Sequence, residues 1–100
     1  EAQPAPPRRL RAEREGGQAS VRWEAPEGET RPLLYQLYVS KRERDGYTPL
    51  GQPAAATERK LGVAKLAETV DRIFIAVKAW PKDDPSGESE FSKAFELKLR

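Results

Sequence analysis

The strictest constraint in this sequence is the period of two in its apolar residues. In segment 71–80, Ile73, Ile75, Val77 and Ala79 alternate with Phe74, Ala76, Lys78 and Trp80. Successive side chains of a strand point to opposite faces, so this segment reads as a strand with one continuous apolar stripe. The same alternation recurs along the chain. Ala19, Val21 and Trp23 oppose Ser20, Arg22 and Glu24. Tyr35, Leu37 and Val39 oppose Leu34, Gln36, Tyr38 and Ser40. Leu61 and Val63 share a face, with Leu66 at the corner that follows. Phe95, Leu97 and Leu99 oppose Ala94, Glu96 and Lys98 in a last strand over 91–100. Shorter pieces are Leu10 with Ala12, and the apolar run 47–52. Segment 53–56 is ambiguous, because its three Ala favour helix while Pro53 and the short length do not. No window holds a helical period. Turn signals separate the pieces: Glu15-Gly16-Gly17-Gln18, Ala25-Pro26-Glu27-Gly28-Glu29, Asp45-Gly46, and the polar loop 81–90. Seven strand-like segments in this order predict an all-β fold, a seven-stranded antiparallel two-sheet sandwich.

One hundred residues suffice for a single domain. Residues 1–7, rich in Pro and Ala, read as a linker; the domain then runs from 8 to 100. The chain neither begins with Met nor contains one, which reads as a piece of a longer or processed protein, and no secretory signal opens it.

Composition removes most chemistry. The chain has no Cys and no His. Disulfides, thiolate nucleophiles, cysteine zinc sites and the Ser-His-Asp and Cys-His arrangements are thereby excluded, as is the usual base near neutral pH. No Asn is present, hence no N-glycosylation acceptor. The net charge is +2 from 18 basic and 16 acidic residues, spread evenly over both halves. Without a basic arm or stripe, nucleic acid is not an expected partner. The apolar runs are too short to insert in a membrane. No catalytic residue, cofactor or metal is expected.

Taken in order, several residues resemble a known family. Pro6-Pro7, Leu10, Trp23 followed by Pro26, Tyr35-x-Leu37-x-Val39, Leu61-x-Val63-x-x-Leu66, Ile73-x-Ile75-x-Val77-x-Ala79, and Ser86-Gly87-Glu88-Ser89-x-x-Ser92 together look like a fibronectin type III domain. The resemblance implies that Trp23 and Tyr35 are core residues of the second and third strands, and that the serine run leads into the last strand. It implies an immunoglobulin-like sandwich acting as a spacer, adhesion or protein-binding module. One departure stands out. Where the family carries a corner tyrosine at the start of the sixth strand, this chain has Ile73. Leu66 and Val70 must then hold that corner by packing. The loop between the last two strands has no Arg-Gly-Asp, so integrin binding by that route is not implied.

Parity sorts the remaining residues. Leu10, Val21, Trp23, Tyr35, Leu37, Val39, Leu61, Val63, Leu66, Ile73, Ile75, Val77, Phe95 and Leu97 are the expected core. Asp83, Asp84, Glu88 and Glu90 read as a solvated acidic loop, since their spacing fits no calcium loop. The mixed charges of Arg8, Arg9, Arg11, Arg14, Glu13 and Glu15 read as solvated surface. Leu34, Tyr38, Phe74 and Trp80 should face away from the core as one exposed aromatic surface. Such patches often mark contact sites; the plainer reading is that Lys78, Gln36 and Lys98 stems, or a neighbouring domain, cover them. The expected function is a non-catalytic module of a larger exported protein, such as a surface lipoprotein tethered by the Pro-Ala lead-in. It would be monomeric alone and contact another protein or an adjacent domain. The alternative is an accessory spacer or carbohydrate-contacting module of a secreted carbohydrate-active enzyme. Either places it outside the cell, on its surface or in the periplasm. An intracellular enzyme is disfavoured by the missing His and Cys.

Overall fold

A computed structural model describes residues 4–84 and 86–99. Seven strands and one short helix follow in the order β1 (Arg8–Glu15), β2 (Gln18–Glu24), β3 (Leu33–Ser40), β4 (Thr48–Ala54), β5 (Glu58–Gly62), α1 (Ala64–Thr69), β6 (Arg72–Pro81) and β7 (Phe95–Lys98). They form two antiparallel sheets, β1-β2-β5 and β4-β3-β6-β7. The expected seven-stranded sandwich is present, with its seven strands in the expected order.

The two inner faces meet in one core. Val21, Leu37, Val63, Ile75 and Val77 are fully buried, joined by Ala19, Trp23, Tyr35, Leu61, Ile73, Leu97 and Leu99. Leu10, Val39, Leu66 and Phe95 pack against it half-buried. Every residue expected in the core therefore contributes to it. The Trp23 and Tyr35 rings meet edge to face at 5.7 Å across the sandwich, a geometry that favours the ring quadrupoles.

Three local features depart from the sequence reading. Where no helical period registers, β5 stops at Gly62 and a helix, α1, begins at Ala64. Ala64, Lys65, Leu66, Ala67 and Glu68 are good helix formers, but six residues are too few for a helical period to register. The Ala67 N–H donates to the Val63 carbonyl and the Val70 N–H to that of Leu66. This turn presses Leu66, Ala67 and Val70 onto the core at the corner where Ile73 offers no hydroxyl. Second, β4 extends through Pro53 to Ala54, which an edge strand tolerates because its outward N–H needs no partner. Third, β7 starts at Phe95 rather than Phe91, for a reason given below.

Strand β1 carries a bulge between Arg8 and Arg11, where Arg9 takes φ = 54°. The register of β3 on β4 is irregular between Tyr35 and Leu37. There the buried Gln36 amide donates to the carbonyls of Leu37, Leu50 and Gly51. Of the stretch read as linker, residues 4–7 form no strand, and Pro7 is buried beside Leu10 and Phe95.

Candidate functional site

Strand β3 pairs with β6 over its full length, which fixes the outer rows of the four-stranded sheet. Leu34 lies opposite Trp80, Gln36 opposite Lys78, Tyr38 opposite Ala76 and Ser40 opposite Phe74. All four expected contact residues stand on this outer face. They do not form the single exposed patch expected of them. Phe74 is only 8% exposed; Arg72 lies 5.7 Å over its ring and bonds at 3.0 Å to Glu96, the residue paired with Phe74 on β7. Leu34 and Trp80 are half-buried against each other's strands at the opposite end, about 20 Å away at a strand's rise per residue. Tyr38, also half-buried, stands between the two groups. Parity fixes which face a side chain leaves from, but not whether neighbours along and across the strands cover it.

The aromatic cluster lies elsewhere on the face. Phe91 meets Tyr38 edge to face at 5.0 Å and Tyr47 at 5.2 Å. The Lys78 ammonium sits 4.4 Å over the Phe91 ring and 5.8 Å over that of Tyr38, held by Glu88 at 3.0 Å. Of the residues in the plainer reading, Lys78 covers part of the face. Phe91, 38% exposed, is the exposed large hydrophobic among the described residues.

Phe91 escaped the sequence reading because the last strand was extended over it, which turned it toward the core. Two serines cancel that register. The Ser92 N–H donates to the Val77 carbonyl while Ser92 Oγ accepts from the Val77 N–H, both at 2.9 Å. Ser89 does the same for Ala79. Each buried serine thus serves one β6 residue with its own N–H and hydroxyl. The segment runs beside β6 without the strand's alternation, and Phe91 between the serines is turned outward. Serines three apart, out of step with a period of two, were the available signal. Tyr47 closes the cluster from the β3–β4 loop, its hydroxyl donating to the Glu43 carbonyl at 2.6 Å. Burial, and then Glu43, push the Tyr47 phenol up from its ordinary pKa. Beside it, a concavity of about 380 Å³ is lined by Glu43, Arg44, Tyr47, Ala76, Phe91 and Ala94, among others.

Other charged groups are tied locally. Arg31 grips Glu29 at 2.7 and 2.9 Å through its guanidinium and at 3.0 Å through its backbone N–H. These bonds, the side-chain ones first, pull the Glu29 carboxyl down to about 2. In the acidic loop, Asp84 accepts from Ser86 at 2.7 Å and Glu88 faces Lys78; among the described residues no three acidic groups converge. Arg8 and Arg9 share Glu24 at 3.6 and 3.5 Å on the solvated side of β1 and β2.

A three-strand sheet packed on a four-strand sheet in this order defines an immunoglobulin-like sandwich of the fibronectin type III kind. Solved structures agree. The chain is similar over 97% of its length to 94% of a Fn3-like protein from Clostridium thermocellum, with a TM-score of 0.73 and 21% identity. It is similar over 95% of its length to 96% of a structure described as a myokine, with a TM-score of 0.67 and 15% identity. It also matches, with a TM-score of 0.65 and 18% identity, 17% of a chain holding the titin kinase and its flanking domains. No sequence-family model and no curated protein matches the chain. The chain thus has the fibronectin type III fold.

Proposed function

We propose that this domain is a non-catalytic protein-binding and spacing module of a larger exported protein, and that its contact surface is the outer face of the four-stranded sheet. The observation that carries the reading is the Tyr38–Phe91–Tyr47 cluster, whose most exposed member is a phenylalanine. Aromatic anchors ringed by polar groups dominate protein interfaces. Leu34 and Trp80 extend the surface toward one end, and buried Phe74 supports it without contacting the partner. The partner is another protein or an adjacent domain of the same chain. The fold and the lack of His and Cys support a non-catalytic role. The lead-in rich in Pro and Ala suits a tether, as in a surface lipoprotein.

A photo-reactive benzoylphenylalanine at position 91 in the intact host protein tests this. The expected result is an adduct with a neighbouring domain or a discrete second protein, absent when the probe stands at Glu68. No adduct at 91, or equal adducts at both positions, overturns the contact face.

One observation favours a second reading, an accessory module contacting carbohydrate. The concavity beside Phe91 and Tyr47 joins an aromatic wall to the Glu43 and Arg44 side chains, and a sugar ring needs both an apolar platform and hydrogen-bonding groups. Retention on a polysaccharide affinity gel, lost in Phe91→Ala, would select it over the first.

A further inference from the structure

We propose that the mouth formed by the end of β3, the β3–β4 loop and α1 binds a free single-chain fatty carboxylate. Val39, at the inner end of β3, and Leu66 on α1 are core-facing yet only half-buried, and with Ile73 they line a concavity of about 530 Å³. That volume lies in the range of small-ligand sites, which are mostly apolar with a few placed polar groups.

The polar groups at the rim select the head group. Ser40 Oγ is already engaged, donating to the Asp45 carbonyl and accepting the Arg42 N–H. Thr48 Oγ1, also at the rim, lies 3.5 Å from the Val39 carbonyl, so the hydroxyls do not by themselves select the head group. The charged lining residues are Lys41 and Arg42, both cationic. Asp45 holds Arg42 at 2.8 Å. Lys41 is exposed and has no ion-pair partner among the described residues. An alkyl chain laid on Val39, Leu66 and Ile73 carries its carboxylate to the Lys41 ammonium. The mouth opens on the inner side of β3 and shares Gly46 of the β3–β4 loop with the concavity beside Tyr47 and Phe91, whereas Val39, Leu66 and Lys41 line the mouth alone.

The test is a methyl NMR titration with decanoate below its micelle concentration, with decanol as the uncharged control. Saturable shifts of the Val39, Leu66 and Ile73 methyls are expected, with decanoate bound more tightly than decanol. Lys41→Glu, on the exposed rim, should weaken decanoate about tenfold and leave decanol unchanged. Leu66→Trp, which fills the mouth, should abolish both in protein that still melts cooperatively. Absence of saturable shifts overturns the proposal. So does Lys41→Glu without effect on decanoate, or a response to anionic phospholipid vesicles alone.

Discussion

Trp23 and Phe74 are both aromatic, both nearly buried, and lie on opposite faces of their sheets. Trp23 stands on the inner face with its ring edge on Tyr35, so Trp23→Ala should cost about 3–5 kcal/mol through the cavity it leaves. A loss below about 1 kcal/mol in urea melts would place Trp23 outside the core. Phe74→Ser should cost about 3 kcal/mol, because the ring is covered. Phe91→Ser should stay within about 1 kcal/mol, since that ring is exposed. Reversed magnitudes would return the contact face to Phe74. Ser92→Ala removes the acceptor of the buried Val77 N–H and should cost about 1–3 kcal/mol. The Arg31 grip adds a pH signature. Glu29 ionises at about 2 when folded, against 4.5 unconstrained. Between those values the unfolded chain binds more protons, so this contribution is present above pH 4.5 and is lost as pH falls toward 2. Acid titration of stability should show a shallower decline over that window in Glu29→Gln than in the parent protein; identical curves would refute the assignment.

At the scale of elements, the irregular pieces tell more than the regular strands. Arg9 holds a left-handed backbone at the β1 bulge, a conformation that costs a non-glycine residue about 1–2 kcal/mol. Arg9→Gly should therefore be close to neutral, with relieved strain offset by unfolded-chain entropy. Arg9→Val should lose about 1 kcal/mol or more, because a β-branched residue fits that region poorly. Equal melts for the two variants would show that the bulge relaxes. The strands themselves were legible, since Ile73, Ile75, Val77 and Ala79 admit one arrangement under a period of two. Helix α1 was not, because its six residues make less than two turns. Phe91 was misread because Ser89 and Ser92 replace strand pairing with side-chain hydrogen bonds, which leave no trace in hydrophobic alternation.

The whole molecule guards its edges. Strand β4 carries Pro49 and Pro53, β5 presents Glu58, Arg59 and Lys60, and β7 has only four residues. On the β1 side, Arg14 donates to the Leu99 carbonyl and ties the two sheets together. Edges blunted by Pro, charge and brevity resist pairing with a second copy. Sedimentation of the isolated domain at about 0.1 mM should give a monomer; a dimer that survives Phe91→Ser would point to an edge left open.

Sequence alone determined the class of fold, the strand order along the chain and the membership of the core. Those depend on side-chain direction, which a strand repeats every two residues. Tertiary structure decided what lies over each outward side chain. Phe74 is covered by Arg72, and Tyr38 is shared with Phe91 and Lys78. It also decided that Val39 and Leu66, core-facing by parity, stay half-buried beside a concavity. Exposure depends on neighbours brought in from distant parts of the chain, and no local pattern encodes that distance.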